Sequence, residues 1–114
     1  MNKYAELSDF EINKKVASHV LNGYYIASEE KQEVYLTTMD GGDFLPIAYF
    51  DPCNNPSNAM VIIIENRISL RNRYEGDWKA ETEWGMSFES INKNPLRACM
   101  EVFLMVKDEE SSND

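Results

Sequence analysis

Two five-residue segments open alike: Asn55-Pro56-Ser57-Asn58-Ala59 and Asn94-Pro95-Leu96-Arg97-Ala98. Asparagine before proline is a helix start. The side-chain oxygen accepts from an orphan backbone N–H, and proline at the first helical position gives up a donor that had no partner anyway. After the second start, Leu96, Met100, Phe103, Leu104 and Lys107 form one stripe. Ala98, Cys99, Val102, Met105 and Val106 widen it over most of the circumference, leaving Arg97 and Glu101 as the plainly polar positions. So apolar a helix has to be central, and the pattern predicts that 94–107 lies across a sheet as the main core element. After the first start comes Val61-Ile62-Ile63-Ile64, a strand by propensity. The Asn-Pro start, Ala59-Met60 and a stop at Glu65-Asn66 favour a helix over 56–66, expected to be buried on most sides.

The remaining segments take their places around these two. Ser8 and Glu11 make a capping box between Leu7 and Ile12, and Ile12, Val16 and Val20 carry a first helix to a stop at Asn22-Gly23. Segments 24–28 and 33–38 are rich in aromatic and β-branched residues and read as a hairpin. Met39 to Asp43 is a turn, and Phe44 to Phe50, broken by Pro46, is an extended segment or short edge strand. A second hairpin joins 68–73 to 78–84. Ile68 and Leu70 point in from its first strand, and Trp78, Ala80, Thr82 and Trp84 share one face of its second. Residues 85–93 read as a loop. The order is helix-strand-strand-helix-strand-strand-helix, an α+β class with helices packed against one face of an antiparallel sheet. One domain spans 1–107, and the acidic segment 108–114 is expected to be a disordered tail.

Charge narrows the partners. The formal net charge is −9, of which residues 107–114, with one lysine and four acids, supply −3. So acidic a body disfavours direct binding to nucleic acid, which depends on neutralising phosphates with Lys and Arg. The run Ala59–Ile64 is far short of the roughly 20 apolar residues of a membrane span, so no membrane contact is expected. Two cysteines, Cys53 and Cys99, fit a reduced, cytosolic protein.

The densest polar cluster is Asp51, Cys53, Asn54 and Asn55. It has two readings. A thiol and a carboxylate before a helix N-terminus can form a reactive or ligand-binding site, since the helix dipole lowers a thiol pKa and its N–H groups attract anions. Alternatively, Asp-Pro and Asn-Pro form turns whose side chains satisfy nearby backbone groups. The single histidine, His19, lies beside the apolar stripe of the first helix and has no second histidine to share a metal with. A general-base role on Cys53 is the sharper alternative to a structural one. Asp40-Gly41-Gly42-Asp43 lacks the EF-hand spacing and reads as a turn, so no metal is expected. No nucleotide, zinc-protease or hydrolase motif is present, so no cofactor or catalytic residue is expected.

Three blocks in order, LSDFEINKKVA, FDPCNNPSNA with IIIENRISL, and NKNPLRACMEVFLM, resemble the NinX-like family of tailed-phage and prophage proteins. The resemblance implies a small phage or prophage protein expressed in the cytoplasm of a bacterial host, and it carries over no catalytic residues. Two functional expectations stand side by side. One is an accessory protein that binds a host or phage protein. The other is a small-ligand or hydrolytic site built on Asp51, Cys53, Asn54 and Asn55.

Overall fold

A computed structural model describes residues 2–83 and 87–112. The elements run α1 (Asp9–Val20), β1 (Tyr25–Ser28), β2 (Glu33–Asp40), β3 (Asp43–Tyr49), α2 (Pro56–Glu65), β4 (Ser69–Asn72), β5 (Trp78–Glu81), β6 (Glu89–Asn92) and α3 (Pro95–Ser112). The class is α+β, with a third strand added to each expected hairpin. The single expected sheet is two antiparallel meanders, β1-β2-β3 and β4-β5-β6. The segment with Pro46 is β3, an edge strand. Strand β6 falls inside the stretch read as a loop. Its sequence, Glu89-Ser90-Ile91-Asn92, has no propensity signal, and pairing alone makes it a strand: Trp78 faces Asn92 and Ala80 faces Ser90.

The three caps form as their chemistry requires. Ser8 Oγ accepts from the Glu11 N–H at 3.1 Å. Asn55 Oδ1 accepts from the Ser57 N–H at 2.9 Å, and Asn94 Oδ1 accepts from Leu96 at 3.0 Å and Arg97 at 3.3 Å. Helix α3 is the core element the stripe predicts. Ala98, Cys99, Met100, Val102, Phe103, Leu104 and Val106 are all buried. The helix packs on β5 and β6 and on both α1 and α2, while α1 also packs on β2, so the helices join the two sheets.

Three expectations are modified. Helix α2 buries only Ala59, Ile62 and Ile63, one face turned to α3, and leaves Met60, Val61 and Ile64 exposed, so it is not covered on most sides. Leu70 shares the inward face of its buried register partner Ala80, as expected, but at the edge strand β4 it stays 38% exposed and is not covered. Trp84, expected on their face, lies outside the described residues. The acidic segment expected to be disordered from residue 108 is helical through Ser112. Buried Tyr4 gives it a docking point, donating its hydroxyl to Asp108, whose carboxylate also meets Lys3 Nζ at 3.2 Å.

Strands β2 and β3 run past the end of β1 as an arm. Asp40 pairs with Asp43 across Gly41 and Gly42, whose φ of +59° and +92° suit a two-residue hairpin turn. The β1 pairing stops at Leu36, and every residue of β3 is exposed. The arm helps to explain a radius of gyration of 14.6 Å and extents of 50 × 35 × 23 Å. A compact chain of this length has about 13 Å.

Candidate functional site

The Asp51–Asn55 loop lies where the N-termini of all three helices converge. Its own turn is closed by the Asp51 carbonyl, which accepts from the Asn54 and Asn55 N–H groups at 3.0 and 2.7 Å. From α1, buried Asn13 donates to the Asp51 carboxylate at 2.7 Å and accepts from the Cys53 N–H at 3.1 Å. From α2, Asn58 Oδ1 accepts from the Asp51 N–H at 2.9 Å. From α3, the cap residue Asn94 donates to the Cys53 carbonyl at 2.8 Å and to Asn54 Oδ1 at 3.0 Å. Asn54 in turn donates to Asp9 and Asp51 at 3.1 Å. The turn-forming reading of the cluster therefore describes its backbone well.

Part of the cluster also faces solvent. Asp51, Asn54 and Asn55, with Asp9, Asn13 and Glu33, form the polar side of a cleft of about 410 Å³. Phe10, Val34, Tyr49 and Phe50 form its apolar side. The lining holds three carboxylates and no basic side chain, although Asp9 is paired with Arg97 at 2.7 Å. The N–H groups at the start of α2 are taken by Asn55, whose carbonyl accepts from Asn58 and Ala59. An anion would find carboxylates and few donors here. An amine or guanidinium would find acids, amide oxygens and aromatic faces.

Cys53 is not part of that opening. It is fully buried, and burial foremost, with the negative charge of Asp9, pushes its thiol well above the usual range. A thiol held protonated and out of solvent does not act as a nucleophile. Nor is His19 placed to activate it. Cys53 Sγ lies 4.0 Å from the Asp9 carbonyl at the start of α1, and His19 is ten residues further on, about 15 Å at the helical rise. The imidazole packs edge-on against Phe103, with ring centroids 6.0 Å apart. The mid-helix thiol of Cys99 is likewise pushed up to about 12 by burial. Among the described residues, no cluster of three His, Cys, Asp or Glu side chains is arranged to hold a metal ion.

A second buried polar group went unrecognised in the sequence. Arg97 and Glu101, the polar positions of the α3 stripe, are both buried and joined at 2.6 Å. Arg97 also donates to Asp9 at 2.7 Å and to the carbonyls of Tyr4 at 2.9 Å and Leu7 at 2.7 Å. Glu101 accepts from Asn2 at 2.5 Å and from Ser90 at 2.6 Å. Burial alone would lower the Arg97 pKa, but the bonds from Asp9 and Glu101 outweigh it and the net shift is upward, so Arg97 keeps its charge. The network ties the N-terminal segment and β6 to α3. The signal for it was available: an Arg–Glu pair at i, i+4 inside an otherwise apolar helix.

The architecture is that of a small α+β protein with two antiparallel three-stranded sheets joined by helices. A crystal structure of a phage protein from Bacillus cereus ATCC 14579, solved at 2.0 Å, shares the fold with a TM-score of 0.65 at 12% identity, over 90% of this chain and 89% of that one. The family model described as "Bacteriophage P22, NinX" matches residues 3–107, and the chain belongs to that family. No curated protein matches the chain in sequence. Among the described residues, no helix is long and apolar enough to cross a membrane.

Proposed function

We propose that this phage protein acts by binding another protein, of host or phage origin, in the cytoplasm of the bacterial host. The observation that supports the reading is the cleft beside Asp51, Asn54 and Asn55, where acids, amides and aromatic rings come together with no basic side chain. A protruding lysine or arginine of a partner fits that lining, and the net charge of −9 steers such a partner towards it. A photo-crosslinking residue in place of exposed Asn55, introduced during phage growth, tests this. One discrete protein adduct is expected, and Glu33→Lys should abolish it. No adduct, or one indifferent to the charge reversal, refutes the reading.

The same cleft supports a second reading, a small cationic ligand held by Asp51, Asn54 and Asn55, with Cys53 as a buried support. Titration with a simple alkyl guanidinium, followed by NMR at the Asn54 and Asn55 side-chain amides, separates the two. Saturable shifts at sub-millimolar ligand favour the small molecule, and their absence rules against it.

A further inference from the structure

Around β4 the charge of the chain is reversed. Three of its four arginines, Arg67, Arg71 and Arg73, fall in one short stretch, and no acid lies between Glu65 and Glu75, although the net charge is −9. Arg73 is held by Glu75 at 2.5 Å and Asp77 at 3.4 Å. Arg71 meets Glu81 only at 4.0 Å, and its side chain is 62% exposed. Arg67 is exposed and has no ion pair among the described residues. Its backbone is also unusual. It stands one residue past the C-cap of α2 with φ +53°, its N–H donating to the Ile64 carbonyl at 3.2 Å and the Ile68 N–H to the Ile63 carbonyl at 3.0 Å. Glycine is the usual residue in that left-handed position, and a Cβ is disfavoured there.

Beside these arginines runs an open edge. Strand β4 ends its sheet, and all of its residues are exposed. The Arg73 N–H donates to the Asp77 carbonyl at 2.8 Å, so those two residues are a hydrogen-bonded pair. Alternation along the antiparallel ladder then makes Asn72–Trp78 and Leu70–Ala80 the pairs without mutual bonds. The N–H and C=O groups of Leu70 and Asn72 therefore face away from β5, and among the described residues nothing takes them up. Edge strand β3 is blunted by Pro46 and a register slip in its pairing, whereas β4 has neither.

We propose that β4 pairs with an extended acidic segment of another protein, which adds a fourth strand to β4-β5-β6 and sets carboxylates against Arg71 and Arg67. The backbone selects a polypeptide. Leu70 and Asn72 offer donors and acceptors in alternation, which a second strand matches, whereas a phosphate chain would leave their carbonyls unpaired. The charge selects the side chains. An added residue opposite Arg71 makes a pair without mutual hydrogen bonds, the kind with the closer side chains, so an Asp or Glu there reaches the guanidinium. Opposite Leu70, an apolar residue would complete the cover of the inner face. A second copy of this chain, pairing edge to edge through β4, would instead set arginine against arginine. The surface is separate from the cleft and takes a partner of opposite charge.

Titration of the full chain with a blocked hexapeptide of alternating valine and glutamate, followed by NMR, tests it. Saturable shifts and slowed solvent exchange at the Leu70 and Asn72 N–H groups are expected below about 1 mM peptide. Arg71→Gln should raise the dissociation constant about 10-fold. Arg67→Gly should also raise it, while increasing the melting temperature, because glycine suits the left-handed cap. Asn72→Pro removes an edge donor without touching the bonds to β5 and should abolish binding, with far-UV circular dichroism unchanged. The valine–lysine counterpart should not bind. No response at about 1 mM, equal binding of the lysine peptide, or an affinity indifferent to both arginine substitutions overturns the proposal. So does an oligothymidylate that shifts these residues when the glutamate peptide does not. None of these results bears on the cleft, which has its own crosslinking test.

Discussion

Replacing Arg97 with methionine removes a buried cation while keeping most of the side-chain stem. Four hydrogen bonds go with it, to Glu101, Asp9 and the carbonyls of Tyr4 and Leu7. Glu101, 1% exposed, then keeps only the two donors Asn2 and Ser90. Leaving one member of a buried ion pair costs about 3–5 kcal/mol. The orphaned Tyr4 carbonyl adds about 1 kcal/mol, so the expected loss is about 4–6 kcal/mol. A domain's whole stability is about 5–15 kcal/mol, so Arg97→Met should stand at the edge of folding. The partner substitution separates charge from packing. Glu101→Gln is neutral and can still accept from Asn2 and Ser90, so Arg97→Met with Glu101→Gln should be about 1–3 kcal/mol more stable than Arg97→Met alone. Equilibrium urea unfolding of the wild type, both singles and the double measures the cycle. A loss under about 1 kcal/mol for Arg97→Met, or strictly additive singles, would show that water reaches the network and that the burial argument is wrong.

The two asparagine caps are not equivalent. Asn55→Ala should cost about 0.5–1 kcal/mol, whereas Asn94→Ala also frees the Cys53 carbonyl and should cost about 2–3 kcal/mol, with the double mutant non-additive; denaturant unfolding checks both. Thr37→Val removes a buried hydroxyl that has no partner and keeps the β-branched shape, so calorimetry should show a melting temperature equal to or above the wild type. Phe103→Ala, 1% exposed on the central helix, should cost about 3–5 kcal/mol by urea unfolding. The Asp108 carboxyl is opposed by burial but lowered on balance by Tyr4 and Lys3. Its contribution is therefore present at neutral pH and lost as pH falls below about 4 and through the lowered native value. Asp108→Asn should flatten that acid limb in unfolding measured at several pH values. Burial and Asp108 raise the Tyr4 phenol, so its contribution is complete below about pH 10 and lost only above it, a limb that Tyr4→Phe should remove.

The helix caps, the turn and the helical stripe that the sequence showed rest on neighbours close along the chain. The Ser8, Asn55 and Asn94 caps, the Gly41-Gly42 turn and the apolar stripe of α3 are local chemistry, and each formed as its residues dictate. Of the 51–55 cluster, the sequence marked the residues and the turn, which need only adjacent backbone groups. Its depth in the fold came from elsewhere. Asn13 and Asn94, 38 and 41 residues from the groups they donate to, decide that Cys53 is sealed while Asn54 and Asn55 stay open. The same holds for Arg97 and Glu101. Their charges suggested solvent, and only the arrival of Asp9, Asn2 and Ser90 supplies the partners that make their burial tolerable. Helix α2 shows the reverse case: its four consecutive β-branched residues promised burial all round, but a helix is covered only where another element lies against it. Helix α3 lies against the Ile62–Ile63 side, and Ile64, chemically the same as both, is left outside because coverage is a property of the assembled fold.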